Sequence, residues 1–142
     1  MRRGIWSSVV AAAAFGTTAY AQQPDAARLL GKVCTGTWDS HAKGYPQPLD
    51  RGALRFTFGS ALPLGGTSES AFGEAAFKAP DRVTAFATSG ALKDVAFNGN
   101  KLTFVSGAGN KYDLTGDGVT FTGKLDPRPT YAVVSDVVLR CR

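Results

Sequence analysis

Side chains able to do chemistry are few in this 142-residue chain, and they are scattered. His41 is the single histidine, with Asp39 just before it and Asp50 after it. A histidine near carboxylates suits general acid–base work or a metal ligand set. The spacing of Asp39, His41 and Asp50 matches no defined ligand pattern, and a solvated loop histidine is the simpler reading. Asp113 and Asp117 bracket Leu114-Thr115-Gly116, with Gly118 following. A calcium loop would need alternating acids and a terminal Glu, so an Asp-Gly turn accounts for this segment. No Gly-x-Ser-x-Gly elbow is present, and Cys34 and Cys141 are far too distant in sequence for Cys-x-x-Cys redox chemistry. The sequence therefore predicts no catalytic residue, no metal site and no cofactor.

The first residues have the form of an address. Arg2 and Arg3 precede an apolar run over residues 5–15, and Ala19-Tyr20-Ala21 is a small-x-small cleavage site. This predicts a secretory signal over residues 1–21 and a mature domain over 22–142. The run is too short for a transmembrane helix, which needs roughly 20 residues. No cysteine follows the cleavage site, so no lipid anchor is expected. Without Arg2 and Arg3, 14 basic side chains face 11 acidic ones, and the formal charge falls from +5 to +3. The basic residues form no stripe, which argues against a nucleic-acid partner. A chain of this length makes one domain.

Two cysteines in an exported chain read as a disulfide, Cys34–Cys141, whereas two buried thiols would suit a reducing compartment. The bridge would close a loop of roughly 100 residues, which in the chain-entropy model contributes up to ~4–5 kcal/mol.

Positioning falls to β-structure. Residues 94–125 alternate apolar and polar side chains between turn dipeptides, the pattern of an antiparallel meander. Asn98-Gly99 predicts a hairpin turn with φ > 0 at both residues. Gly107–Asn110 and Thr115–Gly118 predict the next two turns. Strands are also expected over 32–39, 53–58, 82–88 and 131–141, with a poor strand over 71–77. Residues 40–52 and 59–70 read as Pro- and Gly-rich loops. Asp25 can cap a helical turn ending at Gly31, with Leu29 or Leu30 packed on the domain as a plug. A disordered tail is the alternative there. About eight short strands at regular spacing predict a barrel or a sandwich. A disulfide joining the first and last strands favours a small antiparallel up-and-down barrel, which also removes the sheet's edges.

Phe104, Tyr112 and Phe121 fall on successive strands at compatible parity, and Trp38 shares a face with Cys34 and Gly36. These four either fill a core or line a site for a small apolar ligand.

Gly36-Thr37-Trp38 on the first strand, after a helical turn and ahead of a meander, resembles the calycin group of lipocalins and avidins. The resemblance implies an eight-stranded barrel with the tryptophan closing one end. Gly36-Thr37-Trp38 followed by Tyr45-Pro46 is also similar to nitrobindin-like haem barrels. Those hold haem through a late histidine, and no histidine follows His41 here. A further resemblance is to C-type lysozyme inhibitors of the bacterial envelope, exported small barrels with disulfide-linked terminal strands. Their Ser-Gly-x-x-Tyr loop corresponds to Ser106, Gly107 and Tyr112, with two extra residues before the tyrosine.

The expectation is thus an exported, non-catalytic β-barrel, periplasmic or extracellular, with no membrane anchor. One reading makes it a carrier or sensor of a small apolar ligand at Trp38, Phe104, Tyr112 and Phe121. The other makes it a protein-binding module acting through Ser106, Gly107 and Tyr112. A carrier requires a cavity behind Trp38; a protein-binding module requires a filled core and an exposed, rigid loop over 107–111.

Overall fold

A computed structural model describes residues 25–126 and 132–142. The export signal read from residues 1–21 lies outside the described residues, as does Tyr131 of the last expected strand.

Alternation of apolar and polar residues becomes a nearly closed antiparallel barrel. The strands are β1 (Val33–Ala42), β2 (Pro48–Phe58), β3 (Gly66–Phe72), β4 (Thr88–Ala91), β5 (Lys93–Asn98), β6 (Lys101–Val105), β7 (Lys111–Gly116), β8 (Thr120–Asp126) and β9 (Val133–Cys141). Their order is β4-β3-β2-β1-β9-β8-β7-β6-β5, one sheet of nine strands rather than about eight. The extra strand has a local cause. Residues 88–98 form one run broken at Leu92. Asp94 takes φ 53°, and the pairing shifts between Lys93 and Ala96. The run bends there, so β4 pairs with β3 while β5 pairs with β6.

First and last strands meet as the cysteines required. Cys34 stands opposite Cys141 in the β1–β9 register, and the two form a disulfide across 107 positions. Val33 and Arg142 exchange both backbone hydrogen bonds beside them, at 3.0 and 2.9 Å. The cysteines thus occupy the neighbouring non-hydrogen-bonded pair, where side chains approach most closely.

Several expected boundaries move. Strands β1 and β2 run further than expected and leave only residues 43–47 as their loop. β3 begins at Gly66, inside what reads as a loop. Residues 74–78 form a short helix, α1 (Glu74–Lys78), and Pro80–Arg82 a 3₁₀ turn, so that of the strands expected over 71–77 and 82–88 only 71–72, the end of β3, and 88, the start of β4, are strand. This segment lies against the outside of β2. Arg51 stacks its guanidinium 4.0 Å over the Phe77 ring while pairing with Asp39 at 2.9 Å and Glu74 at 3.1 Å. Arg55 does likewise 4.3 Å over Phe86. Ala53 and Ala71, paired across β2 and β3 on the outward face, are buried. Apolar parity that reads as strand is here a strap packed on a barrel wall.

The β5–β6 turn is also shifted by one. Asn98 pairs with Lys101, so Gly99 and Asn100 are the turn residues, and only Gly99 has positive φ, at 65°. Glycine at the first central position is the pattern of a type II′ hairpin.

Antiparallel succession puts the connections 59–65, 99–100 and 117–119 at one end, here called lower. Connections 43–47, 73–87 and 106–110 lie at the other, the upper end. The lower end is plugged. The 3₁₀ turn Ala26–Leu29 buries Ala26 and Leu29 completely. Asp25 does not cap this turn; its carboxylate accepts instead from the Gly99 N–H at 2.6 Å. Arg28 donates to the Asp117 carbonyl and lies 5.0 Å over the Phe97 ring. The plug is thereby pinned to two lower turns.

Candidate functional site at the upper end

Barrel interiors of this size are just wide enough to be filled by side chains, and aromatic rings fill this one. Phe56 meets Phe104 edge-on at 4.8 Å and Tyr112 at 5.1 Å. Phe104 and Tyr112 stack at 4.9 Å with an 18° interplanar angle. Phe121 sits lower in the barrel and meets Phe97 at 5.4 Å. Phe56, Phe97, Phe104, Tyr112 and Phe121 are all buried. Burial pushes the Tyr112 phenol well above its ordinary range.

Trp38, Phe104, Tyr112 and Phe121 therefore do not converge on one void. Phe104 and Tyr112 touch each other, Phe121 belongs to a different layer, and Trp38 meets Phe72 edge-on at 5.6 Å. Trp38 is buried near the upper end, over Gly52. Beside it the Ser40 and Ser135 hydroxyls share a buried hydrogen bond of 2.5 Å. The space between Tyr112, Phe56 and the hydroxyl-lined β3–β4 edge amounts to about 30 Å³.

Outside that filled axis, the upper rim is exposed. Phe72 is 55 % exposed, Tyr45 66 % and Leu49 62 %. Of the other exposed large apolar side chains, Val119 lies in the lower turn and Val138 on the outward face of β9; the three at the upper end are a feature that parity arguments miss. Each stands at a strand end or in a loop, where alternation carries no signal.

The 106–110 hairpin belongs to the same end and is tied down by its first residue. Ser106 is buried; its N–H donates to the Asn110 carbonyl, its carbonyl accepts from Gly109, and its hydroxyl accepts from the Asn110 N–H. Gly107 donates to the Ser68 hydroxyl at 2.9 Å, and that hydroxyl donates to the Gly90 carbonyl. Residues 107–111 are exposed. Of Ser106, Gly107 and Tyr112, only Gly107 lies on the surface; Tyr112 belongs to the core.

A groove of about 770 Å³ crosses the rim between β6–β7 and β9. Phe104 and Tyr112 are among the residues that line it, together with Lys43, Lys111, Lys124, Asp94 and Asp113.

The remaining candidates for chemistry are engaged elsewhere. Asp39 is ion-paired to Arg51, Asp50 accepts from the Arg51 N–H, and His41 Nδ1 lies 3.8 Å from Asp136. Hydrogen bonds to Asp39 and Glu74 raise the Arg51 pKa above its ordinary value, against the downward pull of burial. The Asp117 carboxylate accepts from the Val119 and Thr120 N–H groups, each at 2.8 Å, and is held below its ordinary pKa by those bonds. Among the described residues, no group of three or more His, Cys, Asp or Glu is placed to hold a metal ion. None of the described helices is long and apolar enough to cross a membrane.

No family model matches the chain, and comparisons with curated proteins and with solved structures return no match. Fold and site are defined by this chain's own geometry: a nearly closed, disulfide-joined antiparallel barrel with one plugged end and one exposed rim.

Proposed function

We propose that the chain is an exported, non-catalytic binding protein of calycin-like build that engages a protein partner through its upper rim. One observation carries this reading. The barrel axis is filled with rings and the lower end is plugged, while the upper end presents Tyr45, Leu49, Phe72 and a hydrogen-bonded hairpin. Exposed aromatic and aliphatic anchors beside a rigid loop are what a protein interface uses. The Cys34–Cys141 disulfide supports an oxidising compartment, periplasmic or extracellular. Tyr45→Ser with Leu49→Ser tests it. Both side chains are about two-thirds exposed, at 66 % and 62 %, so the double variant keeps the wild-type melt and loses the complex that the wild-type protein forms in its native exported fraction. An undiminished complex overturns the proposal.

A second reading, a carrier of a small apolar ligand, is supported by the rim groove. Its volume falls within the range of ligand pockets. On this reading the ligand lies across the rim rather than along the axis.

A further inference from the structure

We propose that Asn98 is a modification site, deamidated spontaneously through a cyclic imide, and that the hydrogen bond from Gly99 to Asp25 restrains the reaction. The chemistry needs water and no enzyme, and it is independent of either reading of the upper rim.

The chain has three asparagines, Asn98, Asn100 and Asn110. An asparagine closes an imide when the next backbone nitrogen attacks its side-chain carbonyl carbon. Asn100 and Asn110 are each followed by a lysine that opens a strand, β6 and β7. A side chain crowds the attacking nitrogen there. Asn98 is exposed and is followed by Gly99, which has φ 65° and stands in an open turn. Even a Cβ at Gly99 would meet nothing within 4 Å. Asp117-Gly118 is the one aspartate–glycine pair that could close the same ring. The Asp117 carboxylate is held ionised by the Val119 and Thr120 N–H groups, and a carboxylate ion is a poor electrophile.

The step balances without an outside reagent other than water. The Gly99 nitrogen bonds to the Asn98 side-chain carbon. The bond from that carbon to the amide nitrogen breaks, and ammonia leaves carrying the Gly99 proton. One water then opens the imide at either carbonyl, leaving aspartate or isoaspartate at position 98.

Asp25 stands in the way. The Gly99 N–H donates to its Oδ2 at 2.6 Å, a charge-assisted bond. Attack requires that bond to be given up and the peptide plane to turn toward the Asn98 side chain. Asp25 leads directly into the lower plug, whose Ala26 and Leu29 are fully buried. The plug therefore guards the turn. The converse also holds. Either product sets a new carboxylate near that of Asp25, and like charges repel. Isoaspartate also adds a carbon to the main chain ahead of Gly99, which displaces the N–H that pins the plug.

The test ages the purified protein at mildly alkaline pH beside Asp25→Ala and Asn98→Gln variants. Peptide mass spectrometry locates the deamidation, and isoaspartyl methyltransferase reports the isoaspartate. Deamidation should fall at Asn98 ahead of Asn100 and Asn110. It should run about tenfold faster in Asp25→Ala, as loss of one hydrogen bond to a charged acceptor would give. Aged wild type should gain a lower-melting fraction that aged Asn98→Gln lacks. Deamidation led by Asn100 or Asn110 overturns the site. An unchanged rate in Asp25→Ala overturns the restraint, and equal melts of aged wild type and Asn98→Gln overturn the link to the plug.

Discussion

Gly90 and Gly107 pack backbone against backbone where the β4 edge meets the β6–β7 hairpin. A Cβ on Gly107 would lie 2.3 Å from the Gly90 Cα, and one on Gly90 would lie 2.7 Å from the Gly107 Cα. Ser68 completes the contact by bonding to both glycines. The barrel closes at this point because neither residue has a side chain.

Gly107→Ala should force that contact apart. Overpacking of this kind costs about 1–3 kcal/mol, and the loss should appear as a lower midpoint in urea. Ala108→Ser, one residue on and exposed, should leave the midpoint within about 0.5 kcal/mol of wild type. A wild-type midpoint for Gly107→Ala would contradict the close seam.

The disulfide spans 107 positions of the chain. Cys34→Ser with Cys141→Ser should lower stability by as much as ~4–5 kcal/mol in the loop-entropy description, read as a large drop in melting temperature. An unchanged melt would show that the bridge does not constrain the unfolded chain.

Leu29 is fully buried in the lower plug. Leu29→Ala should cost about 2–5 kcal/mol, and Trp38→Ala about 3–5 kcal/mol, by denaturant unfolding. A loss under about 1 kcal/mol at either site would place that side chain at the surface.

Asp117 gives the acid dependence a sign. Its carboxylate is held below the ordinary value of 3.8 by two backbone N–H groups. A depressed folded pKa contributes stability above the ordinary value and loses it as pH falls through the folded one. Asp117→Asn keeps an acceptor oxygen and removes the charge. It should therefore melt below wild type at neutral pH, with the gap closing as pH drops below 3.8. A gap independent of pH would assign the effect to the turn's shape alone.

How far the sequence could be read varies by residue. Cys34, Trp38, Leu54, Phe56 and Leu139 face inward as their parity predicts, because the two faces of a regular strand alternate and no bulge interrupts these stretches. The strap over 73–87 was illegible: Phe77 and Phe86 are apolar, yet each serves as a platform for an arginine on the outer wall. Parity cannot tell inside from covered outside. The turn at Gly99 and Asn100 shows a similar limit, since Asn98-Gly99 and Gly99-Asn100 are both good turn pairs and only the register separates them. The rim was least visible. Tyr45, Leu49 and Phe72 look like ordinary apolar residues until strand ends are known, and the contact of the hairpin over 106–110 with Gly90 joins residues that no local pattern links.

A photoreactive phenylalanine analogue placed at position 72, and separately at position 98 in the lower turn, tests the central claim most directly. Irradiation in the native exported environment should give a discrete, saturable adduct with one protein partner from position 72 and none from position 98. Leu49→Glu should abolish that adduct without altering the melt. Adducts from position 98 alone, or none from either position, would contradict an account in which the upper rim is the working surface.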